Sequence, residues 1–142
     1  MNNVNVNKDH NIKILKNCIK DLSFENPQNI DENFVINKDN TNLNVNMNVF
    51  YKPYDNKSFS LLLRYTLDCS SKDNIKKLFN LELDYLGFFK ILNEKKIEQE
   101  ALIKFGIKLL FPFVKELVED ITRRGAGVPI SLNEVDFNVL KN

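Results

Sequence analysis

Between Leu43 and Val49 the chain alternates without fault, with Leu43, Val45, Met47 and Val49 apolar and Asn44, Asn46 and Asn48 between them. A repeat of two residues sends successive side chains to opposite faces, so the segment predicts a strand with one wet face. Phe59, Leu61, Leu63, Tyr65 and Leu67 repeat the pattern against Ser60, Leu62, Arg64, Thr66 and Asp68. Phe79, Leu81, Leu83 and Tyr85 repeat it again against Asn80, Glu82 and Asp84. Lys52–Lys57, with Pro53 and Asp55-Asn56, and then Ser70–Asn74 supply the turns. Three such strands in succession predict an antiparallel sheet with one apolar and one solvated face.

Before them, Ile12–Phe24 is apolar at Ile12, Ile14, Cys18, Leu22 and Phe24. This imperfect alternation predicts a first strand with an irregularity near Leu15–Asn17. Glu25–Thr41 is too long for a hairpin turn and reads as a crossover loop with an apolar patch at Ile30, Phe34, Val35 and Ile36. After the strands the period changes. Leu102, Phe105, Leu109, Phe113, Leu117 and Ile121 recur every three or four residues, the stripe of an amphipathic helix over Lys95–Arg124. Pro112 inside it removes a backbone donor and predicts a kink near Lys108. Gly125 is expected to stop the helix and Pro129 to prevent its resumption. Asp136 is placed to cap a final short helix containing Phe137, Val139 and Leu140.

The expected fold is therefore α+β: a four-stranded antiparallel sheet with a long crossover after the first strand, packed against one long kinked helix and a short C-terminal helix. At 142 residues it is one domain, 1–142, with a polar, disordered tail over 1–11. The charge balance, 20 basic against 19 acidic residues with arginine only at Arg64, Arg123 and Arg124, lacks the clustered excess of a phosphate-tracking nucleic-acid binder. Cys18 and Cys69 fit neither a metal spacing nor a disulfide framework, which points to a reducing cytoplasm. No apolar run approaches the ~20 residues of a membrane span.

Catalytic chemistry finds no foothold. His10 is the only histidine and lies in the tail. Cys69 has no neighbouring base to lower its pKa. Glu98, Glu100, Glu116, Glu119 and Asp120 are interleaved with lysines on a charged helix face, not gathered in an apolar cleft. Gly125 and Gly127 follow a helix instead of opening one, so they form no phosphate loop. The reading is a non-enzyme without cofactor or metal, whose apolar faces hold other molecules.

Two segments carry a resemblance. Lys20-Asp21-Leu22-Ser23-Phe24-Glu25-Asn26-Pro27 follows an irregular first strand, and Leu110-Phe111-Pro112-Phe113, Arg124-Gly125 and Val135-Asp136-Phe137 punctuate the helical end. In this order, around this string of elements, the chain resembles the SecB family of protein-export chaperones. The resemblance implies a dimer of dimers whose long helices lie between two sheets, unfolded precursor polypeptides as clients, and the SecA translocation motor as receiving partner. It places SecA docking on Asp21, Glu25, Asn80 and Glu82, with Asn80 standing where the family has an apolar residue. Leu86-Gly87 replaces a paired glycine after the fourth strand, with an expected change in how that turn bends. The client groove is expected to be lined by Phe34, Val45, Met47, Phe113, Phe137 and Leu140. Two rivals stand beside this reading: a SecB-like chaperone serving a toxin–antitoxin pair, and a carrier of a small hydrophobic ligand.

Overall fold

The computed structural model describes residues 6–7, 12–27, 39–93, 95–132 and 137–140. His10, the crossover with Phe34, and Asp136 lie outside the described residues, whereas Val6–Asn7, inside the tail expected to be disordered, is instead a short strand paired with Ile12 and Lys13. The elements are β1 (Val6–Asn7), β2 (Ile12–Glu25), β3 (Thr41–Pro53), β4 (Ser58–Ser71), β5 (Lys77–Ile91), α1 (Gln99–Ala126) and β6 (Phe137–Leu140). They form one sheet in the order β1-β2-β5-β4-β3-β6 with α1 across one face. The four long strands are antiparallel; β2 pairs with β5, so β3, next in sequence, lies across the sheet beyond β4.

The broken alternation of β2 has a simple cause. Its register against β5 slips between Ile14 and Lys16 and again between Ile19 and Asp21. Each extra residue shifts the parity by one. The residues facing the helix are thus Ile12 and Ile14, then Asn17 and Ile19, then Leu22 and Phe24, opposite Ile91, Phe89, Gly87, Tyr85, Leu83 and Leu81. One irregularity was expected; the second returns Phe24 to the core side.

Two expectations need correction at the C-terminal end. The last segment is not a short helix: Phe137–Leu140 is a strand, parallel to β3 and in register with Met47–Phe50. Its sequence, Phe-Asn-Val-Leu, alternates at Phe137, Asn138 and Val139, and pairing with β3 satisfies a backbone that so short a helix would leave largely unbonded. Gly125 does not stop α1 either. The helix runs to Ala126, and Gly127 takes the left-handed conformation at φ 80°, its amide donating to the Arg123 carbonyl. Pro112 stands on the exposed side, and the helix continues unbroken through it. Gly87 lies inside β5, not in a turn, with Leu110 of α1 packed over it; turn flexibility is not its role.

The core lies between sheet and helix. Phe59, Leu61, Leu63, Tyr65, Leu67, Phe79, Leu81, Leu83 and Phe89 are fully or almost fully buried beneath Ile103, Leu110, Val114 and Val118. The stripe that contacts the sheet therefore differs from the predicted one. Ile103, Ile107, Leu110, Val114 and Val118 are buried, whereas Leu109, Phe113, Leu117 and Ile121 remain half-buried. Consecutive helix positions are separated by ~100°, so α1 is apolar on two adjoining faces, wider than one sheet contact consumes.

Candidate functional site

The two sequence segments that carry the resemblance meet in space. The amide of Asn26 donates to the carbonyl of Gly125 at 2.6 Å. Phe24 packs on Gly125 so closely that a β-carbon there would lie 2.3 Å from the ring, and the same ring stacks on Phe79 with centroids 5.5 Å apart. Gly125 is thus required by close approach, and these motifs are structural before they are functional.

The outer face of the sheet carries the acidic residues. The ladder arranges them in rows: Asp21, Asp84 and Arg64; then Ser23, Glu82 and Thr66; then Glu25, Asn80 and Asp68. The candidates Asp21, Glu25, Asn80 and Glu82 therefore fall on one face within three neighbouring rows. Asp84 and Asp68 join them. Alternation had already placed both outward, but only the register shows that they stand beside Asp21 and Asn80. Asp21, Arg64, Thr66, Glu82 and Asp84 surround a shallow depression of about 260 Å³.

Arg64 tempers this patch. Its Nε and one terminal nitrogen donate to the two oxygens of Asp84 at 2.9 and 3.0 Å, and its guanidinium lies 5.1 Å from the centre of the Phe50 ring. The hydrogen bonds and charge of Asp84, with weaker attraction from Asp21 and Glu82, raise the Arg64 pKa further above its usual range. Asn80 donates to Asp68 and so occupies part of that carboxylate. Asp21, Glu25 and Glu82 keep their carboxylates toward solvent.

The client-groove candidates separate. Val45 is 38% exposed near the start of β3, beside the exposed Leu43. Met47, two residues on, is 0% exposed. The expectation that Met47 lines an open groove is therefore corrected: its regular alternation delivers it into the core between sheet and helix. Phe113 lines a surface depression of about 510 Å³ with Ile19, Tyr85, Leu117 and a charged rim of Glu116, Glu119, Asp120 and Arg123. It stacks on Tyr85 at 6.3 Å, and the Tyr85 hydroxyl bonds to Asn17. Phe137 and Leu140 lie in β6, whose backbone runs beside β3 from Met47 to Phe50.

Open apolar surface missed at the sequence level lies on β2, where Leu15, Ile19 and Leu22 are exposed. The double slip of register hides this signal, because no single alternation predicts which face each residue takes. Burial raises the pKa of the Cys69 thiol, which disfavours its thiolate. On the helix rim, Arg124 and then Arg123 hold the Asp120 carboxyl below its usual range by hydrogen bonding and charge. Among the described residues no group of three or more metal-ligating side chains occurs, and no helix is long and apolar enough to cross a membrane.

Comparison with known proteins agrees with this geometry. The family model described as SecB, preprotein translocase subunit SecB, matches residues 5–141. The protein-export protein SecB of Parvibaculum lavamentivorans is 31% identical over 132 residues, covering 92% of this chain and 77% of the relative. That of Xanthobacter autotrophicus is 34% identical over 131 residues, covering 91% and 81%. A solved Mycobacterium tuberculosis SecB-like chaperone, in complex with a ChAD peptide from the HigA1 antitoxin, superimposes with a TM-score of 0.67 at 15% identity, covering 86% of this chain and 88% of the other. That last likeness is one of fold.

Proposed function

The chain belongs to the SecB family of protein-export chaperones, and from that premise we propose that it is a cytoplasmic, ATP-independent holdase that grips unfolded precursors and passes them to SecA. The observation that carries the reading is apolar surface left open in two places on the helix side of the sheet. One place is Ile19 and Leu22 on β2 together with Leu109, Phe113, Leu117 and Ile121 on α1. The other is Leu43 and Val45 on β3.

The first place faces copies of the same chain. A second apolar helix face and an exposed β2 would be covered in a dimer of dimers, with α1 held between two sheets. The second remains for clients. Burying one large apolar client side chain contributes roughly 1.5–3 kcal/mol, while fixing each client residue costs ~1–2 kcal/mol of backbone entropy. Few contacts therefore hold weakly, and repetition over four chains raises avidity by ~10²–10⁴. Val45, with Phe34 from the segment before β3 and Phe137 from the strand paired with it, is the groove we assign to clients; Leu140, in register with Phe50, has the opposite parity and leaves the set.

SecA docking falls on the outer face, on Asp21, Glu25 and Glu82 with Asn80 between Glu25 and Asp68. Reversing the charge of Asp21, Glu25 and Glu82 together should weaken SecA binding about tenfold or more and flatten its salt dependence, with client holding unchanged. Titration of SecA at two ionic strengths checks this. An unaltered SecA affinity removes the three residues from the site. The curated relatives favour export over an antitoxin role, since the antitoxin-bound structure shares only the fold. A hydrophobic-ligand carrier is disfavoured because close-packed side chains fill the space between sheet and helix where its ligand would sit.

A further inference from the structure

Along the strands of the outer face the acidic rows give way to a different surface. Past Asp21, Asp84 and Arg64 comes a row of Cys18, Leu86, Leu62 and Phe50; then Lys16, Phe88, Ser60 and Lys52; then Lys13, Lys90 and Ser58. Tyr54 completes the last rows, its ring stacked on Phe88 at 6.2 Å and its hydroxyl 3.0 Å from Ser60. Lys52 lies over the Tyr54 ring at 5.6 Å, and Lys57 closes the β3–β4 turn. Five lysines thus frame a partly exposed aromatic and aliphatic band.

The positive charge of this end is in excess: five lysines stand with the single carboxylate of Asp55, and the Lys57 ammonium donates to the Asn93 carbonyl at 3.1 Å. Lys13 and Lys90 stand directly opposite each other across the ladder, an arrangement that destabilises a sheet. None of the five lysines is ion-paired with a described residue, whereas Arg64, Arg123 and Arg124 all are. Asp55, the carboxylate within this group, accepts from the Lys57 amide and the Ser58 hydroxyl. The following connection, 92–98, adds lysines and glutamates in equal number. Asp84 lies six positions from Lys90 on β5, or about 20 Å at ~3.3 Å per residue. The Lys16 and Lys52 row, at Phe88, is four positions away, or about 13 Å; both distances exceed the ~8 Å screening length of physiological salt, so the acidic rows offset the basic ones only weakly.

We propose that the basic end of the outer sheet face, Lys13, Lys16, Lys52, Lys57 and Lys90 around Tyr54 and Phe88, binds the anionic surface of a lipid bilayer. The rows stand on an open strand ladder, a broad face that suits a planar partner. Tyrosine rings favour the headgroup level. Lysine stems lie along apolar surface while their ammonium groups reach charge. Each lysine near an anionic leaflet contributes about fivefold in partitioning. The molecule would rest tilted on this end, with the acidic rows held away from the lipid. This goes beyond the chaperone reading and does not depend on it.

The test is co-sedimentation of the whole protein with vesicles of phosphatidylcholine alone and of phosphatidylcholine mixed with phosphatidylglycerol. Binding is expected only to the anionic vesicles, falling as salt rises. K13E/K52E/K90E should weaken it by about a hundredfold or more, taking about fivefold for each lysine lost. K13Q/K52Q/K90Q should weaken it less, and a melting temperature equal to or above that of the intact protein, since the Lys13–Lys90 repulsion is relieved, separates lost charge from lost fold. Equal binding to neutral vesicles, no binding to anionic vesicles at low salt, or undiminished binding by the triple Glu variant overturns the proposal. So does a finding that the lysines instead serve RNA, or a second copy through its acidic rows, with no vesicle uptake.

Discussion

Replacing Leu109 and Leu117 with aspartate should break the proposed assembly of four 16.6 kDa chains into single chains or pairs, and weaken the hold on unfolded polypeptide by ~10²-fold or more. Both residues lie on the half-buried face of α1, one position around from those packed on the sheet, so the protomer fold should survive. In the assembly the same positions would be covered. An unpaired carboxylate buried there costs several kcal/mol per chain, more than the contacts of two leucines can offset. Sedimentation velocity on the intact protein and the double variant reads the mass directly, and circular dichroism confirms the fold. A variant that sediments like the intact protein would remove this face from the interface, and with it the explanation of why α1 is apolar on two sides.

A second large effect is expected at Gly125, where propensity and packing disagree in sign. Within a helix, alanine is favoured over glycine by roughly 1 kcal/mol. Here the added methyl would lie 2.3 Å from Phe24, whose ring cannot retreat freely because it stacks on Phe79. Overpacking of this kind costs ~1–3 kcal/mol. Gly125→Ala should therefore lower the melting temperature by several degrees, at about 2–4 °C per kcal/mol for a chain near this size. Combined with Phe24→Ala, which opens the space, the same change should become neutral or stabilising. Thermal melts of the two single variants and the double variant make the cycle, and a rise in melting temperature on Gly125→Ala alone would contradict it.

The same glycine shows what the sequence could and could not reveal. Period-two alternation placed the three middle strands and sent Arg64, Asp68, Glu82 and Asp84 to the wet face, because each strand carries that information within itself. How those residues line up across strands depends on register, which for β2 passes through two slips. Asp84 and Asp68 thus emerged as neighbours of the docking candidates only in the folded chain. On α1, a stripe at helical spacing was legible, but two adjoining apolar faces share that spacing, and the sequence does not say which one meets the sheet. At Phe137–Leu140 a capping residue and three apolar side chains suggested a helix, whereas the neighbouring edge of β3 offers the backbone more bonds. Met47 belongs to the core by the very regularity that marked it for attention. Gly125 has the local signature of helix punctuation, and nothing local announces that Phe24, about a hundred residues earlier, presses on it.

The proposed retention of unstructured polypeptide through repeated weak apolar contacts can be read from the spontaneous refolding rate of a slow-folding precursor, measured with the intact protein present in stoichiometric amount and no nucleotide. Refolding should slow in proportion to the protein added, with saturation at a fixed ratio of protein to precursor. A refolding rate unaffected by any excess of the protein would contradict it.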